Sequence, residues 1–130
     1  MLLLDTHVVL WSLLSPDHLG PNARRLLESE ECFVSTISAH EVSRLVSLGR
    51  IVFAGSLDEW FSQAQTALGF MWIELSVSQA IESYQLKNFE HKDPCDRIIA
   101  ACARQMNAPV LTADRTLLDY APLRTVDARR

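Results

Sequence analysis

Short, largely apolar segments alternate with helical segments along this chain, and this alternation restricts the fold more than any other feature. We predict β-strands over five segments, MLLL (1–4), CFVSTI (32–37), FMWIEL (70–75), PVLTAD (109–114) and LRTVDA (123–128). Strands without a polar face are typical of parallel sheets, because crossover helices cover both faces of such sheets. The alternation therefore predicts an α/β fold, a three-layer α/β/α sandwich with a mostly parallel central sheet.

The segments between these strands carry the start and stop signals of helices. A capping-box pattern places Ser38 three residues before Glu41, and the same pattern recurs at Ser56 and Ser76. Pro94 stands where the first turn of a helix tolerates proline. The predicted helices cover residues 6–14, 21–30, 38–50, 56–68, 77–86, 93–106 and 115–121.

The composition favours one domain, residues 1–130, because 48% hydrophobic residues suffice for a single core. No apolar run reaches the length of a membrane span, and the segment MLLLD is too short for a secretory leader, so we expect none. The three cysteines form no C-x-x-C pair, so we expect buried thiols and a cytoplasmic location.

The net charge of −4 does not indicate nucleic-acid binding, but arginine, which suits phosphate recognition, supplies 10 of the 12 basic residues.

Four acidic residues stand at positions that are informative together. Asp5 and Asp114 end two apolar strands, and Glu41 and Asp96 occupy the first turns of two helices. Each has a structural explanation when taken singly, as a helix cap or as a charge that favours the helix dipole. Asp93, three residues before Asp96, is a suitable N-cap of the same helix.

The four acids become a candidate metal site if MLLL and PVLTAD are neighbours in the sheet. Ligands of α/β sheets bind at the carboxyl ends of the strands, where the strand order reverses. Carboxylates gathered there repel one another unless they take up protons or a cation. Mg²⁺ or Mn²⁺ suits an all-oxygen set, whereas the His/Cys spacing of zinc sites is absent. Such a site is suited to phosphodiester hydrolysis.

The chain also resembles a known family over nearly its whole length. The segments LLLDTHVVLW, STISAHEV, HKDPCDRIIAACA and VLTADRTLLDY are similar to the successive acidic motifs of PIN-domain nucleases. More narrowly, they resemble the small toxins of VapBC-type toxin–antitoxin pairs. The resemblance implies a Mg²⁺-dependent endoribonuclease whose catalytic metal site consists of Asp5, Glu41, Asp96 and Asp114, with Asp93 as the helix cap.

The same resemblance implies an RNA substrate and a small antitoxin whose C-terminal segment wraps the helices predicted at VSRLVSLGR (42–50) and SLDEWFSQAQTAL (56–68), and we expect a homodimer. A basic residue of the antitoxin would reach the acidic pocket. We also expect three arginines, Arg44, Arg97 and Arg115, to line the approach of the RNA.

Two further residues are predicted to support the acidic site. Thr112 lies on the same strand face as Asp114 and is placed to hydrogen-bond a metal-bound water. Arg97 follows Asp96 and is expected to pair with a neighbouring acid. His91 belongs to the local motif, but the sequence assigns it no role.

Several different functions remain open at the level of sequence. A haloacid-dehalogenase-like phosphatase needs a second aspartate two residues after the first, where this chain has His7. A receiver domain needs a lysine after a late strand, but the two lysines here are Lys87 and Lys92. Two further hypotheses are a non-catalytic interaction module whose acids are all caps, and a PIN-type nuclease of RNA processing without a toxin role.

Overall fold

A computed structural model, which describes residues 1–130, contains one sheet of five strands in the order β3–β2–β1–β4–β5. All four neighbouring pairs are parallel, which confirms the predicted α/β class and makes the sheet wholly parallel. The strands are β1 (Leu2–Leu4), β2 (Cys32–Ser35), β3 (Met71–Ile73), β4 (Val110–Thr112) and β5 (Thr125–Asp127).

All seven predicted helices are present, and some are shorter than predicted. They are α1 (Thr6–Leu14), α2 (Pro21–Ser29), α3 (Ile37–Ser47), α4 (Leu57–Leu68), α5 (Val77–Glu82), α6 (Pro94–Met106) and α7 (Arg115–Leu118), with a single 3₁₀ turn at Pro16–His18. Gly69 follows α4 in the left-handed region, at φ 69°, where glycine carries no side-chain penalty. No helix combines the length and the apolar character that crossing a membrane requires.

The sheet is covered on both faces, as the apolar strands predict. Leu2 and Leu4 of β1 belong to one buried cluster, which includes residues of α1, α2 and α4. Leu3, which points the opposite way, belongs to a second buried cluster with residues of α6 and α7. The sheet therefore forms the middle layer of three.

One predicted helix start is wrong. Ser56 and Ser76 cap α4 and α5 as predicted, since each hydroxyl accepts from the backbone N–H three residues later at 3.1 Å. Ser38 instead lies inside α3, which begins at Ile37. The hydroxyl of Ser35 accepts from the Ile37 N–H at 3.2 Å, so the helix starts directly after β2 and leaves Ser38 for another contact.

The sheet order creates a crevice between β1 and β4. From β1 the chain builds outward through β2 and β3, and then returns to place β4 on the other side of β1. The crossovers on the two sides diverge at this reversal, so the carboxyl ends of β1 and β4 flank an opening. The residues that immediately follow these two strands therefore face a candidate ligand site.

Candidate metal centre

Asp5 is held by backbone and side-chain donors at the end of β1. Its Oδ1 accepts from the Thr6 N–H at 2.8 Å, and its Oδ2 accepts from the Thr112 hydroxyl at 2.6 Å. The residue is only 2% exposed. The carboxylate is therefore fixed in orientation, with the end of β4 as part of its support.

Thr112 connects the two acids that follow β1 and β4. Its hydroxyl donates to Asp5 and also accepts from the Asp114 N–H at 3.0 Å. Its proton is thus directed at the Asp5 carboxylate, and its contact with a metal-bound water stays a prediction. Asp114 uses Oδ1 to cap α7, by accepting from the Thr116 N–H at 2.8 Å.

A pair of hydroxyls joins Glu41 to the end of β1. Thr6 donates to Glu41 Oε2 at 3.3 Å and lies 2.8 Å from the hydroxyl of Ser38. Burial, and then the charges of Asp5 and Asp93, raise the pKa of the Glu41 carboxyl to about 7. Helix α3 therefore presents Glu41, its fifth residue, to the same crevice as Asp5.

Asp96 is the most perturbed carboxyl of the group. It lies at the third position of α6, is 7% exposed, and follows Asp93, which caps the helix through the Cys95 N–H at 2.8 Å. Burial is the largest cause that raises the pKa of Asp96 to about 9. The other causes are neighbouring negative charges, those of Asp5, Asp93, Asp114 and Glu41. All four sequence-predicted acids thus share one electrostatic environment.

His91, to which the sequence assigned no role, points into this cluster. Its Nε2 bonds to Asp96 Oδ2 and lies 3.7 Å from Asp114 Oδ2. Ligand atoms of His91, Asp93 and Asp96 lie within 4.8 Å of one another. Asp93, which the sequence analysis treated as a cap alone, therefore also borders the candidate metal position. The sequence feature that could have indicated this position is His91, a possible metal ligand two residues before Asp93.

A second histidine, His7, faces the same oxygen of Asp5 that Thr112 contacts. Nε2 of His7 accepts from the Ala113 N–H at 2.9 Å, so the ring proton resides on Nδ1. That nitrogen faces Asp5 Oδ2 at 3.4 Å. His7 therefore ties the start of α1 to the segment after β4.

The prediction that Arg97 pairs with an acid is wrong. Its guanidinium donates to the carbonyls of Ser83 and Phe89 at 3.0 and 2.8 Å, and it lies over the Tyr84 and Phe89 rings. These partners all lie in the segment that precedes α6, and the guanidinium forms no ion pair with the acids. Arg97 therefore holds residues 83–89 against α6.

The thiol nearest to the acids is not a ligand candidate. Burial, and then the charges of Glu41 and Asp93, raise the pKa of Cys95 to about 12, and a hard divalent cation takes oxygen ligands in preference to sulfur. All three cysteines are buried and unpaired, as predicted. The donors that remain are carboxylate oxygens and one imidazole nitrogen, which fit a divalent cation such as Mg²⁺ or Mn²⁺.

A groove with a cavity volume of about 690 Å³ adjoins the cluster. Glu41 and Asp93 lie on its wall, together with three permanent cations, Arg44, Arg50 and Lys92. Of the three arginines that the sequence analysis expected at the approach, Arg44 alone lines this groove. The groove combines acidic and basic side chains within a protein of negative net charge.

A wholly parallel α/β/α sandwich with buried carboxylates at its switch point defines this chain as an α/β protein with an acidic candidate metal centre. A family model described as "PIN domain" matches residues 2–122. Ribonuclease VapC22 of Mycobacterium tuberculosis is 31% identical over 125 residues, which are 95% of each chain. The chain therefore belongs to the PIN-domain family of nucleases, in its VapC-type group.

Solved structures of low identity share the fold. The structure of FitAB bound to an IR36 DNA fragment matches with a TM-score of 0.73 and 22% identity, over 100% of this chain and 96% of that one. VapBC2 of Rickettsia felis, bound to a DNA fragment from its promoter, matches with a TM-score of 0.68 and 17% identity, over 96% of each chain.

Proposed function

We propose that this PIN-domain protein is an endoribonuclease that depends on Mg²⁺ or Mn²⁺ and acts as the toxin of a toxin–antitoxin pair. The observation that carries the proposal is the convergence of Asp5, Glu41, Asp96 and Asp114 at the switch point. Buried carboxylates with raised pKa values ionise at neutral pH when a cation neutralises them. The ribonuclease named among its relatives supports RNA as the substrate.

Asp5 and Asp96 are the principal ligands in this proposal, with Glu41 and Asp114 completing the acidic set. A bound divalent cation would activate a water for attack and neutralise the charge that builds on the phosphate. The chain's own contribution is orientation. Thr112 fixes the Asp5 carboxylate, and Thr6 fixes Glu41, through the hydrogen bonds described above.

The basic side of the groove is the proposed path of the RNA backbone. Arg44, Arg50 and Lys92 stand beside Glu41, so phosphates can approach a protein that is acidic as a whole. Three such contacts give modest affinity that falls as salt rises. The other two arginines expected there are engaged elsewhere, Arg97 with backbone carbonyls and Arg115 with Asp119 at 3.4 Å.

The proposed protein partners are a small antitoxin and a second copy of this chain, in the cytoplasm. The solved relatives VapBC2 and FitAB support an antitoxin. A cationic side chain that reached Glu41 and Asp93 through the groove would replace the charge of the metal. Inhibition and metal binding would then exclude each other.

Growth and RNA integrity after expression without the neighbouring gene test the proposal. We expect the wild type to arrest growth with RNA cleavage, and Asp96→Asn to do neither. Asp58→Asn, which changes an exposed acid of α4, is the matched control and should behave as the wild type. Equal toxicity of all three proteins, or cleavage in excess chelator, would contradict the proposal.

Two competing functions are distinguishable from this one. A receiver domain has the strand order 2-1-3-4-5, whereas this sheet has the order 3-2-1-4-5. A PIN-type nuclease of RNA processing would cleave RNA with the same metal dependence, but its expression alone would not arrest growth. The growth assay therefore distinguishes the toxin role from nuclease activity as such.

A further inference from the structure

The imidazole of His91 occupies a position that none of the acids fills. Its Nε2 faces Oδ2 of Asp96 and Oδ2 of Asp114, and Asp93 completes a group of close ligand atoms. None of the other three histidines contacts Asp96 or Asp114. His7 bonds to the Ala113 backbone, His18 packs edge-on against Trp11, and His40 is exposed on α3.

The spacing of these atoms suits a shared cation. Two neighbouring ligands at about 2.1 Å from an octahedral ion are about 3.0 Å apart, and opposite ligands are about 4.2 Å apart. The His91 Nε2–Asp114 Oδ2 distance of 3.7 Å falls between these values. The ligand atoms of His91, Asp93 and Asp96 span no more than 4.8 Å. Small side-chain rotations would complete the coordination.

The segment that carries His91 is anchored, so the imidazole is delivered to the cluster by the fold. Arg97 donates to the carbonyl of Phe89, whose ring contacts the rings of Tyr120 at 4.8 Å and His91 at 6.1 Å. The Tyr120 hydroxyl donates to the carbonyl of Lys87 at 2.7 Å. The hydrogen bonds to the carbonyls of Lys87 and Phe89 therefore restrain the segment that places His91 beside the acids.

We propose that His91 is a direct ligand of the metal through Nε2, beside Asp96, and that it makes the site prefer Mn²⁺ over Mg²⁺. The inference rests on the proposed function, because it concerns the same metal centre. Mg²⁺ is a hard ion that takes oxygen ligands, whereas imidazole favours first-row transition ions. Replacing one oxygen by nitrogen in an otherwise acidic set therefore shifts the selectivity of the site.

Pulsed electron paramagnetic resonance on the Mn²⁺-loaded protein tests this coordination directly. The wild type should show coupling of Mn²⁺ to an imidazole ¹⁴N, and His91→Ala should lose it. His18→Ala, which changes an exposed histidine outside the site, should keep it. A Mn²⁺ signal without nitrogen coupling in the wild type would overturn the inference and leave the proposed nuclease function standing.

Calorimetric titrations with Mn²⁺ and with Mg²⁺ separate a ligand from a residue that only orients Asp96. His91→Gln retains an N–H donor for Asp96 but lacks the ring nitrogen. We expect it to lower the Mn²⁺ affinity about 10-fold or more and to leave the Mg²⁺ affinity within a few-fold. An equal loss for both ions would contradict the inference. If the wild type bound neither ion, that result would contradict the metal centre and the proposed function together.

Discussion

At the scale of single residues, the site depends on hydroxyl groups as much as on acids. Thr112 is fully buried, and its hydroxyl donates to Asp5 and accepts from the Asp114 N–H. The hydroxyl of Thr6 donates to Glu41. Buried carboxylates that lose such donors lose both their orientation and the compensation for their desolvation. The hydroxyls therefore decide how well the acids are positioned for a cation.

Thr112→Val is the direct test of this support, because valine has nearly the same shape without the hydroxyl. We expect a loss of about 1.5–3 kcal/mol in the free energy of unfolding, as for other hydrogen bonds to charged groups. Metal affinity should fall about 10- to 100-fold. Urea denaturation and calorimetry measure the two effects. Thr112→Ser keeps the hydroxyl, so a loss as large as that of valine would contradict this role.

Asp96→Asn is predicted to stabilise the metal-free protein while abolishing activity. The raised pKa of Asp96 means that its ionisation costs folding free energy, and asparagine removes that cost without changing the shape. The melting temperature in chelator at pH 8 should therefore match or exceed that of the wild type. The same change at Asp5 is a poorer test, since it disturbs the hydrogen bond from Thr112. A clear destabilisation by Asp96→Asn would contradict the electrostatic account.

At the scale of secondary structure elements, Arg97 joins α6 to the segment that precedes it. The two carbonyls that it contacts belong to Ser83, directly after α5, and to Phe89, two residues before His91. One guanidinium thus closes a stretch of irregular chain onto the helix that carries Asp96. The residue acts on the site through backbone position and not through charge.

Arg97→Met should loosen residues 83–91 with little change in the rest of the fold. The side chain keeps its apolar stem but loses both hydrogen bonds, at about 1.5–3 kcal/mol each before relaxation. Hydrogen exchange should rise in this segment and remain unchanged in β1 and β4. The control is Arg104→Met, because Arg104 pairs loosely with Glu82 at 3.9 Å on the surface. Equal hydrogen exchange in the two variants would contradict this role of Arg97.

At the scale of the whole molecule, the acidic cluster makes stability depend on pH and on metal. Glu41 has a folded pKa of about 7, raised from 4.5, and Asp96 has one of about 9, raised from 3.8. Both groups are protonated in both states at low pH, so the penalty is absent there. As the pH rises, the unfolded chain loses these protons first, and the folded state loses stability until the folded pKa values are passed.

We therefore expect the melting temperature in chelator to fall between about pH 5 and pH 9. Saturating Mn²⁺ should reverse this trend, because its ligands must be deprotonated and its binding tightens as the pH rises. At 100 times the dissociation constant the ion stabilises the fold by about 2.7 kcal/mol. Thermal scans across this pH range, with and without metal, measure both. A Glu41→Gln, Asp96→Asn double variant should have a flatter profile, and an unchanged slope would contradict the assignment.

Local sequence patterns are enough to predict the secondary structure elements, the class of the fold and the four candidate acids. Apolar strands and capped helices are local patterns, and the PIN-type motifs follow one another along the chain. Asp93 at the start of α6 was predictable because capping involves neighbours in sequence. Ser38 shows the limit of the same rule, since α3 begins before it, at Ile37, whose N–H donates to the hydroxyl of Ser35.

The side chains that hydrogen-bond to the acids could not be predicted from the sequence, because they come together only in the folded chain. Thr112 and Asp5 are 107 residues apart and meet because β4 lies beside β1 in a register that pairs Leu111 with Leu4. A shift of one residue would turn Thr112 to the opposite face of the sheet. The approach of His91 to Asp96 likewise depends on how Arg97 and Tyr120 hold an irregular segment. Such contacts arise from strand order, register and packing, which sequence spacing does not specify.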